Sequence, residues 1–150
     1  MKAITIMQPW ASLIACGAKH IETRSWATKY RGPLAIHAGK SLKYIDMAYD
    51  YPFTDYFTTG GDVPLAAIVA IVDLVDCVKV IGRVSLKIGD EQQMGAVLND
   101  YIKVAGNEFA FGDYTPGRYA WILDNVRRIE PIPAKGKQRL WEWKGDNSGR

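Results

Sequence analysis

Four side chains near the start of the sequence have types and spacing suited to chemistry. Lys19, Glu22, Arg24 and Trp26 occur within residues 17–26, GAKHIETRSW. Alternate side chains of a strand point to the same face, so Glu22, Arg24 and Trp26 are predicted to share one side. Glu22 could orient the two cations, Lys19 and Arg24, and the cations could then hold a phosphate or the edge of a base in a pocket. An ion pair along an exposed strand has the same composition, so the spacing alone leaves a structural interpretation open.

A second basic group lies near the end of the chain. Lys135, Lys137 and Arg139 surround the flexible Gly136, and Arg118 is a weaker candidate after an earlier turn. Closely spaced cations in a loop can follow a phosphate backbone, although a solubilising turn looks the same in sequence. The formal net charge is only +3, from 19 basic and 16 acidic residues. The clustering of the cations, more than their total, points to an anionic partner.

Other kinds of site have little support. His37 ends a predicted strand near the same cleft, and His20 is expected to be exposed. Without a third candidate ligand we expect no metal and no cofactor. Serine-hydrolase motifs and phosphate-binding glycine loops do not occur. Cys16 and Cys77 lie in apolar stretches and are expected to be free, buried thiols, which is typical of a reducing compartment.

Length and composition predict one globular domain over residues 1–150, with a polar, frayed tail at about 145–150. The N-terminus lacks the pattern of a signal peptide, and no segment approaches the ~20 apolar residues of a membrane span. We therefore expect a cytoplasmic protein without membrane contact, and assume a monomer.

Hydrophobic patterning predicts mostly strands with a few helices. A short helix should begin at Pro9, whose φ suits a first helical turn, and end at Gly17, with Trp10 packed in the core. Further helices are predicted at 41–51 and 91–104, and a surface loop at 53–62. The predicted strands are 3–7, 19–27, 34–38, 65–75 at the centre, 77–89, 109–111, 119–123, 126–132 and 140–144. Trp141 and Trp143 should share a buried face. This order indicates an α+β chain with a curled sheet or small barrel.

The sequence resembles an ASCH (activating signal cointegrator homology) domain over nearly its whole length. The resemblance rests on four segments in order: QPWASLIACGAKHIETRSW at 8–26, YRGPLAIHA at 30–38, AIVAIVDLVDC at 67–77 and PIPAKGKQRLWEW at 131–143. It implies a PUA-like fold, a small mixed β-barrel of about six strands, with a helix after the first strand and additional inserted helices. It also implies a cleft lined by the Lys-x-x-Glu-x-Arg residues. Members of the family are proposed to bind RNA or DNA.

A more distant bacterial branch of the family hydrolyses the acetamide of N4-acetylcytidine, using a lysine and a threonine of the corresponding segment. Lys19 matches that lysine, whereas Glu22 stands at the threonine position. A carboxylate can act as a base but not as a threonine-type nucleophile. The resemblance therefore favours binding over hydrolysis.

We predict a nucleic-acid-binding module, with RNA as the expected ligand ahead of DNA. Its predicted contact residues are Lys19, Glu22, Arg24, Trp26, Lys135, Lys137 and Arg139, with Trp26 bordering the cleft as a surface for base stacking. One alternative is a small hydrolase of a nucleoside-like molecule, such as an N4-acylated cytidine, with Lys19 and Glu22 as catalytic groups. Another is a protein-interaction domain in the regulation of transcription or translation.

Overall fold

The computed structural model describes residues 1–57 and 63–145, and strands dominate this part of the chain. The eight strands in it are β1 Lys2–Ile6, β2 Ile21–Arg24, β3 Gly32–Ala38, β4 Ala67–Ile88, β5 Glu91–Leu98, β6 Lys103–Val104, β7 Tyr119–Pro133 and β8 Leu140–Glu142. The α-helices are α1 Trp10–Ala15 and α2 Gly106–Ala110, and two 3-10 helices cover Ile45–Tyr49 and Phe53–Asp55. None of the helices in the described ranges has the length and apolar character needed to cross a membrane.

The strands form a mixed sheet in the order β2-β7-β4-β3-β1-β8, and β5 and β6 extend it from β4. Strand β1 runs parallel to β3, while the other pairs are antiparallel. The expectation of a central strand at 65–75 is confirmed, because β4 lies between β3 and β7. The expected six strands are too few. Closure into a barrel is not confirmed, since the pairing among the described residues is an open path from β2 to β8.

Helix α1 follows β1 as predicted and packs its apolar stripe on the sheet. Ala11 and Ile14 are buried in the main core together with Ile4 of β1 and Ile36 of β3. Gly17 ends the helix with a φ of +84°, a left-handed conformation that glycine adopts without a steric penalty. Helix α1 could be predicted from the sequence because its first residue, its apolar stripe and the glycine that ends it all lie within ten residues.

Long-range contacts give residues 91–104 and 109–111 a secondary structure other than the one predicted. Residues 91–104 are not a helix: β5 pairs along β4 from Glu91 to Leu98, and the short β6 then pairs back on β5. Residues 109–111 are not a strand, because Phe109 lies in α2 and stacks on Tyr114. In both cases, long-range pairing or packing overrides the apolar spacing of a short segment.

The helix predicted at 41–51 is also wrong, as that stretch contains only the 3-10 helix Ile45–Tyr49. Leu42, Tyr44 and Tyr49 are exposed, so the segment has no continuous apolar stripe to bury. The loop predicted at 53–62 begins with the 3-10 helix Phe53–Asp55, and residues 58–62 lie outside the described part. The predicted frayed tail lies outside it from residue 146 onward.

Strand β7 joins two segments that the sequence predicts as separate strands, 119–123 and 126–132. Asn125 has a φ of +50° between them, and the pairing of β7 with β4 shifts register on either side of Asp124. A bulge of this kind interrupts the alternation of side chains but not the strand. At the end of the chain, Trp141 and Trp143 pack in one cluster, as predicted.

The two thiols differ from expectation. Cys16 and Cys77 are both free, but Cys16 is exposed and Cys77 is only partly buried. Cys16 follows the last residue of α1 and lies outside the helix's buried stripe. The apolar neighbours that suggested burial are themselves buried, but the burial does not extend to Cys16 at the end of the helix.

Candidate functional site

Strand β2 positions the Glu22 and Arg24 side chains on one face. It pairs antiparallel with β7, with Glu22 opposite Trp121 and Arg24 opposite Tyr119. Arg24 Nε donates to Glu22 Oε2 at 2.9 Å, and Arg24 Nη2 donates to the Thr5 carbonyl of β1 at 2.8 Å. The guanidinium thus joins two distant strands and fixes the carboxylate beside it.

Lys19 is buried behind this ion pair. Its side chain is 1% exposed, its Nζ donates to the Ile21 carbonyl, and Nζ lies 3.9 Å from Glu22 Oε1. Burial lowers the pKa of Lys19, while the charges of Glu22 and Glu108 oppose that effect. Lys19, Glu22 and Arg24 therefore lie together as predicted. Lys19, however, contacts Glu22 from the protein interior and does not face the solvent.

Glu108 and Tyr114 extend this buried network, and sequence reasoning missed both. Glu108 Oε1 accepts the His20 amide at 2.6 Å, while its Oε2 has no partner among the described residues. Burial raises the pKa of Glu108, opposed mainly by the charge of Lys19. Burial also raises the pKa of Tyr114, whose hydroxyl has no partner in the described part of the chain. No motif connects these residues to Lys19, since folding alone brings them together.

An open cleft of about 520 Å³ lies in front of Glu22 and Arg24. Its lining comprises Thr5, Ile6, Met7, Trp10, Glu22, Thr23, Arg24, Arg118, Lys137, Gln138 and Arg139. Four cations and one carboxylate are therefore present among the described residues that line it. Arg118 is held in place by the Thr23 carbonyl at 3.2 Å and the Asp113 carbonyl at 3.1 Å. The charges of the cleft favour an anionic ligand.

The loop before β8 brings part of the second basic group to the cleft. Lys137 and Arg139 line it, whereas Lys135 is exposed outside the lining. The Arg139 guanidinium lies over the Trp26 ring, 4.5 Å from its centroid. Trp26 meets Trp121 edge-on at 4.8 Å. Trp26 therefore borders the cleft through Arg139 and is not itself part of the lining.

Polar contacts hold this loop against β1 and β3. His37 Nε2 lies 2.7 Å from the Ala134 carbonyl, and Thr5 Oγ1 donates to the Lys137 carbonyl at 3.2 Å. Gly136 packs so closely on His37 that a Cβ would lie 2.6 Å from the ring. His37, predicted near the cleft, is thus buried and holds the loop, while His20 is exposed as expected.

Trp10 contributes both to the core, as predicted, and to the lining of the cleft, which was not predicted. Trp10 packs on Phe53 and Tyr44, in agreement with its expected place in the core. It is only partly buried, however, and also lines the cleft. Met7, Thr5 and Gln138 were missed because nothing in their local sequence marks them.

Comparison with known proteins agrees with the resemblance read from the sequence. The family model of the ASCH domain matches residues 4–133. The human protein Activating signal cointegrator 1 is 35% identical over 146 residues, and its mouse counterpart is 26% identical over 146 residues. Each alignment covers 93% of this chain and 22% of the relative, so the chain spans about a fifth of the length of these curated proteins. The chain belongs to the ASCH domain family.

Proposed function

We propose that this ASCH domain binds nucleic acid, with RNA preferred to DNA, in the cleft in front of Glu22 and Arg24. The observation that carries the proposal is the charge of the lining, to which the described residues contribute four cations, Arg24, Arg118, Lys137 and Arg139, and one carboxylate. Phosphates are the anions such a surface meets along a nucleic-acid strand, and arginine and lysine are the usual side chains that contact them.

The predicted residues take different parts in this proposal. Lys137 and Arg139 contact phosphates directly, with Arg139 oriented by Trp26. Lys135 is exposed near the same loop and adds to the positive field around the cleft. Glu22 and Arg24 form the inner surface, and the charge of the buried Lys19 offsets that of Glu22. A carboxylate flanked by two cations repels a polyanion less than a carboxylate alone.

Fluorescence anisotropy with single-stranded and duplex RNA and DNA of one sequence, at two salt concentrations, tests the proposal. We expect binding that weakens as salt rises and is tighter for RNA. Arg139→Gln should weaken binding several-fold, whereas Lys103→Gln, which removes an exposed cation outside the cleft lining, should have little effect. No binding of any probe at low salt would overturn the proposal.

A second candidate is a hydrolase of an N4-acylated cytidine, and one observation favours it. Burial lowers the pKa of Lys19, and a lysine that acts as a base requires a shift in this direction. Against it, Lys19 Nζ is bonded to the Ile21 carbonyl and is not part of the cleft lining, although Glu22 is. Chromatography after incubation with acylated cytidines decides: turnover abolished by Lys19→Ala supports the hydrolase.

A protein-interaction role in regulation is the third interpretation, consistent with the name of the cointegrator relatives. It predicts no affinity for the oligonucleotide probes and no turnover of acylated cytidines. The same pair of assays therefore separates all three functions.

A further inference from the structure

Charge is not uniform across the cleft. Glu22 is its least exposed charged side chain, at 13%, compared with 24% for Arg24 and 29% for Arg118. Lys137 and Arg139 are exposed on the loop before β8. We call Glu22 the floor of the cleft, and Arg118, Lys137 and Arg139 its rim. The floor is acidic and the rim is basic.

The hydrogen-bonding capacity of the floor is that of an acceptor. Arg24 uses Nε on Glu22 and one Nη2 hydrogen on the Thr5 carbonyl, so two of its five N–H donors are engaged. The acceptor capacity of the floor comes from Glu22 alone. Glu22 Oε2 receives the Arg24 bond, whereas Oε1 lies 3.9 Å from Lys19 Nζ, beyond hydrogen-bond distance. No donor among the described residues bonds to Oε1. An ionised carboxylate only accepts hydrogen bonds, so the floor offers a free acceptor to a ligand.

A phosphate does not suit this floor, because its oxygens are also acceptors and carry negative charge. A nucleobase does, since its pairing edge carries N–H donors. The wall beside Glu22 includes Ile6, Met7 and Trp10, which are apolar or aromatic and suited to the faces of a base. The volume of about 520 Å³ falls within the range of roughly 300–1,000 Å³ found for small-ligand pockets.

We infer that the cleft takes an unstacked base with its pairing edge toward Glu22 and the flanking phosphates at the rim, and that Glu22 selects an amino-bearing base, guanine above all. This inference rests on the proposed nucleic-acid function. Guanine presents a ring N–H and an amino group side by side. Glu22 can accept both, one at the free Oε1 and one at the lone pair of Oε2 that Arg24 does not use. Adenine and cytosine present an amino group beside a ring acceptor, and uracil presents one N–H between two carbonyls. Acceptors in the ligand repel the carboxylate, so uracil fits worst.

The test uses single-stranded heptamers of uridine in which the central residue is guanosine, inosine, adenosine, cytidine or uridine. Anisotropy titration at low salt should show guanosine binding about tenfold more tightly than uridine, the order of discrimination of a good bidentate pair. Inosine lacks only the amino group of guanine and should lose most of that preference. These probes test the wild-type protein, so the inference does not depend on whether a variant folds.

The variant Glu22→Gln tests whether Glu22 is the residue that causes the preference for guanosine. The amide presents one acceptor and one donor group in place of two acceptors, so the preference for guanosine over uridine should fall to about twofold or less. Glu130→Gln removes the same charge from an exposed site outside the lining and should keep the full preference. Equal affinity for all five heptamers, or a guanosine preference that survives in Glu22→Gln, would overturn the inference. If no heptamer binds while another RNA or DNA probe does, the inference is also overturned. If no RNA or DNA probe of any kind binds at low salt, the proposed function fails instead.

Discussion

Lys19 couples its protonation to folding because it is buried beside two carboxylates. Burial lowers its pKa in the folded state below the unfolded value of about 10.4. Between these two pKa values the unfolded chain binds more protons, so the stability contributed by this group rises with pH across that window. In Lys19→Met the dependence disappears. The free energy of unfolding of the wild type should therefore increase relative to the variant as pH rises toward about 10.4.

Urea denaturation of both proteins at several pH values from 7 to 10 measures this difference. Glu22 keeps Arg24 as a partner and Glu108 keeps the His20 amide, so Lys19→Met leaves no carboxylate without a donor. Lys19→Met also removes the donor to the Ile21 carbonyl. This loss offsets the gain expected from replacing a buried ionic group with an apolar one, so at pH 7 we expect the two proteins to differ by no more than about 1–2 kcal/mol. Lys103→Met, at an exposed site, is the control. Parallel pH profiles would contradict the coupling.

A substitution at Gly136 tests how the packing of the loop before β8 affects the cleft, because it changes no charge. An alanine Cβ would lie 2.6 Å from both His37 Cε1 and Thr5 Oγ1, so the loop or these two side chains must move. We expect Gly136→Ala to lower the free energy of unfolding by about 1–3 kcal/mol, the usual effect of overpacking. Displacement of Lys137 and Arg139 should also weaken oligonucleotide binding.

Gly82→Ala is the matched control for this substitution, because nothing lies within 4 Å of its added Cβ. It should change stability by no more than about 0.5 kcal/mol. Thermal unfolding and anisotropy measured on both variants give the two readouts. Equal effects of the two substitutions would show that the contact between Gly136 and His37 does not set the position of the loop.

At the scale of elements, Gln8 connects α1 to the chain entering β4. Its Oε1 accepts the Ser12 amide at 3.0 Å, and its Nε2 donates to the Pro64 carbonyl at 2.8 Å. The side chain is fully buried, so truncation leaves two polar backbone groups without partners. Each group left without a partner costs about 1–3 kcal/mol, so we expect Gln8→Ala to lower the free energy of unfolding by about 2–6 kcal/mol. Chemical denaturation measures this cost, and a loss no larger than that of Gln92→Ala, an exposed glutamine on β5, would exclude it.

Elements whose signals are local could be predicted, and elements defined by distant partners could not. The order β1, α1, β2 and β3 follows from a proline, a glycine and alternating side chains within the first 40 residues. Strand β5 was mistaken for a helix because its identity depends on pairing with β4. The contacts of the candidate site also fall into a local group that could be predicted and a long-range group that could not. Alternation along β2 predicts the Glu22 and Arg24 pair, whereas the contact of Arg139 with Trp26 exists only once β8 and β2 are folded into place.

At the scale of the whole molecule, the distribution of charge matters more than its sum. The net charge of +3 is small for a chain of 150 residues, and acidic residues occur throughout it. The described residues that line the cleft carry four cations and one carboxylate. The field that guides a polyanion toward the protein is therefore local, and it should respond to the position of a removed charge as well as to its sign.

This reasoning gives a quantitative expectation for salt dependence. Each cation that neutralises a phosphate contributes about 0.7 to the slope of log affinity against log salt for a single strand. The double variant Arg118→Gln, Lys137→Gln should therefore lower the magnitude of the slope by about 1.4. Lys87→Gln with Lys103→Gln removes the same net charge at exposed sites away from the cleft lining. Anisotropy titrations of both double variants from low to physiological salt compare the slopes, and equal reductions would place phosphate contacts across the surface instead of at the rim.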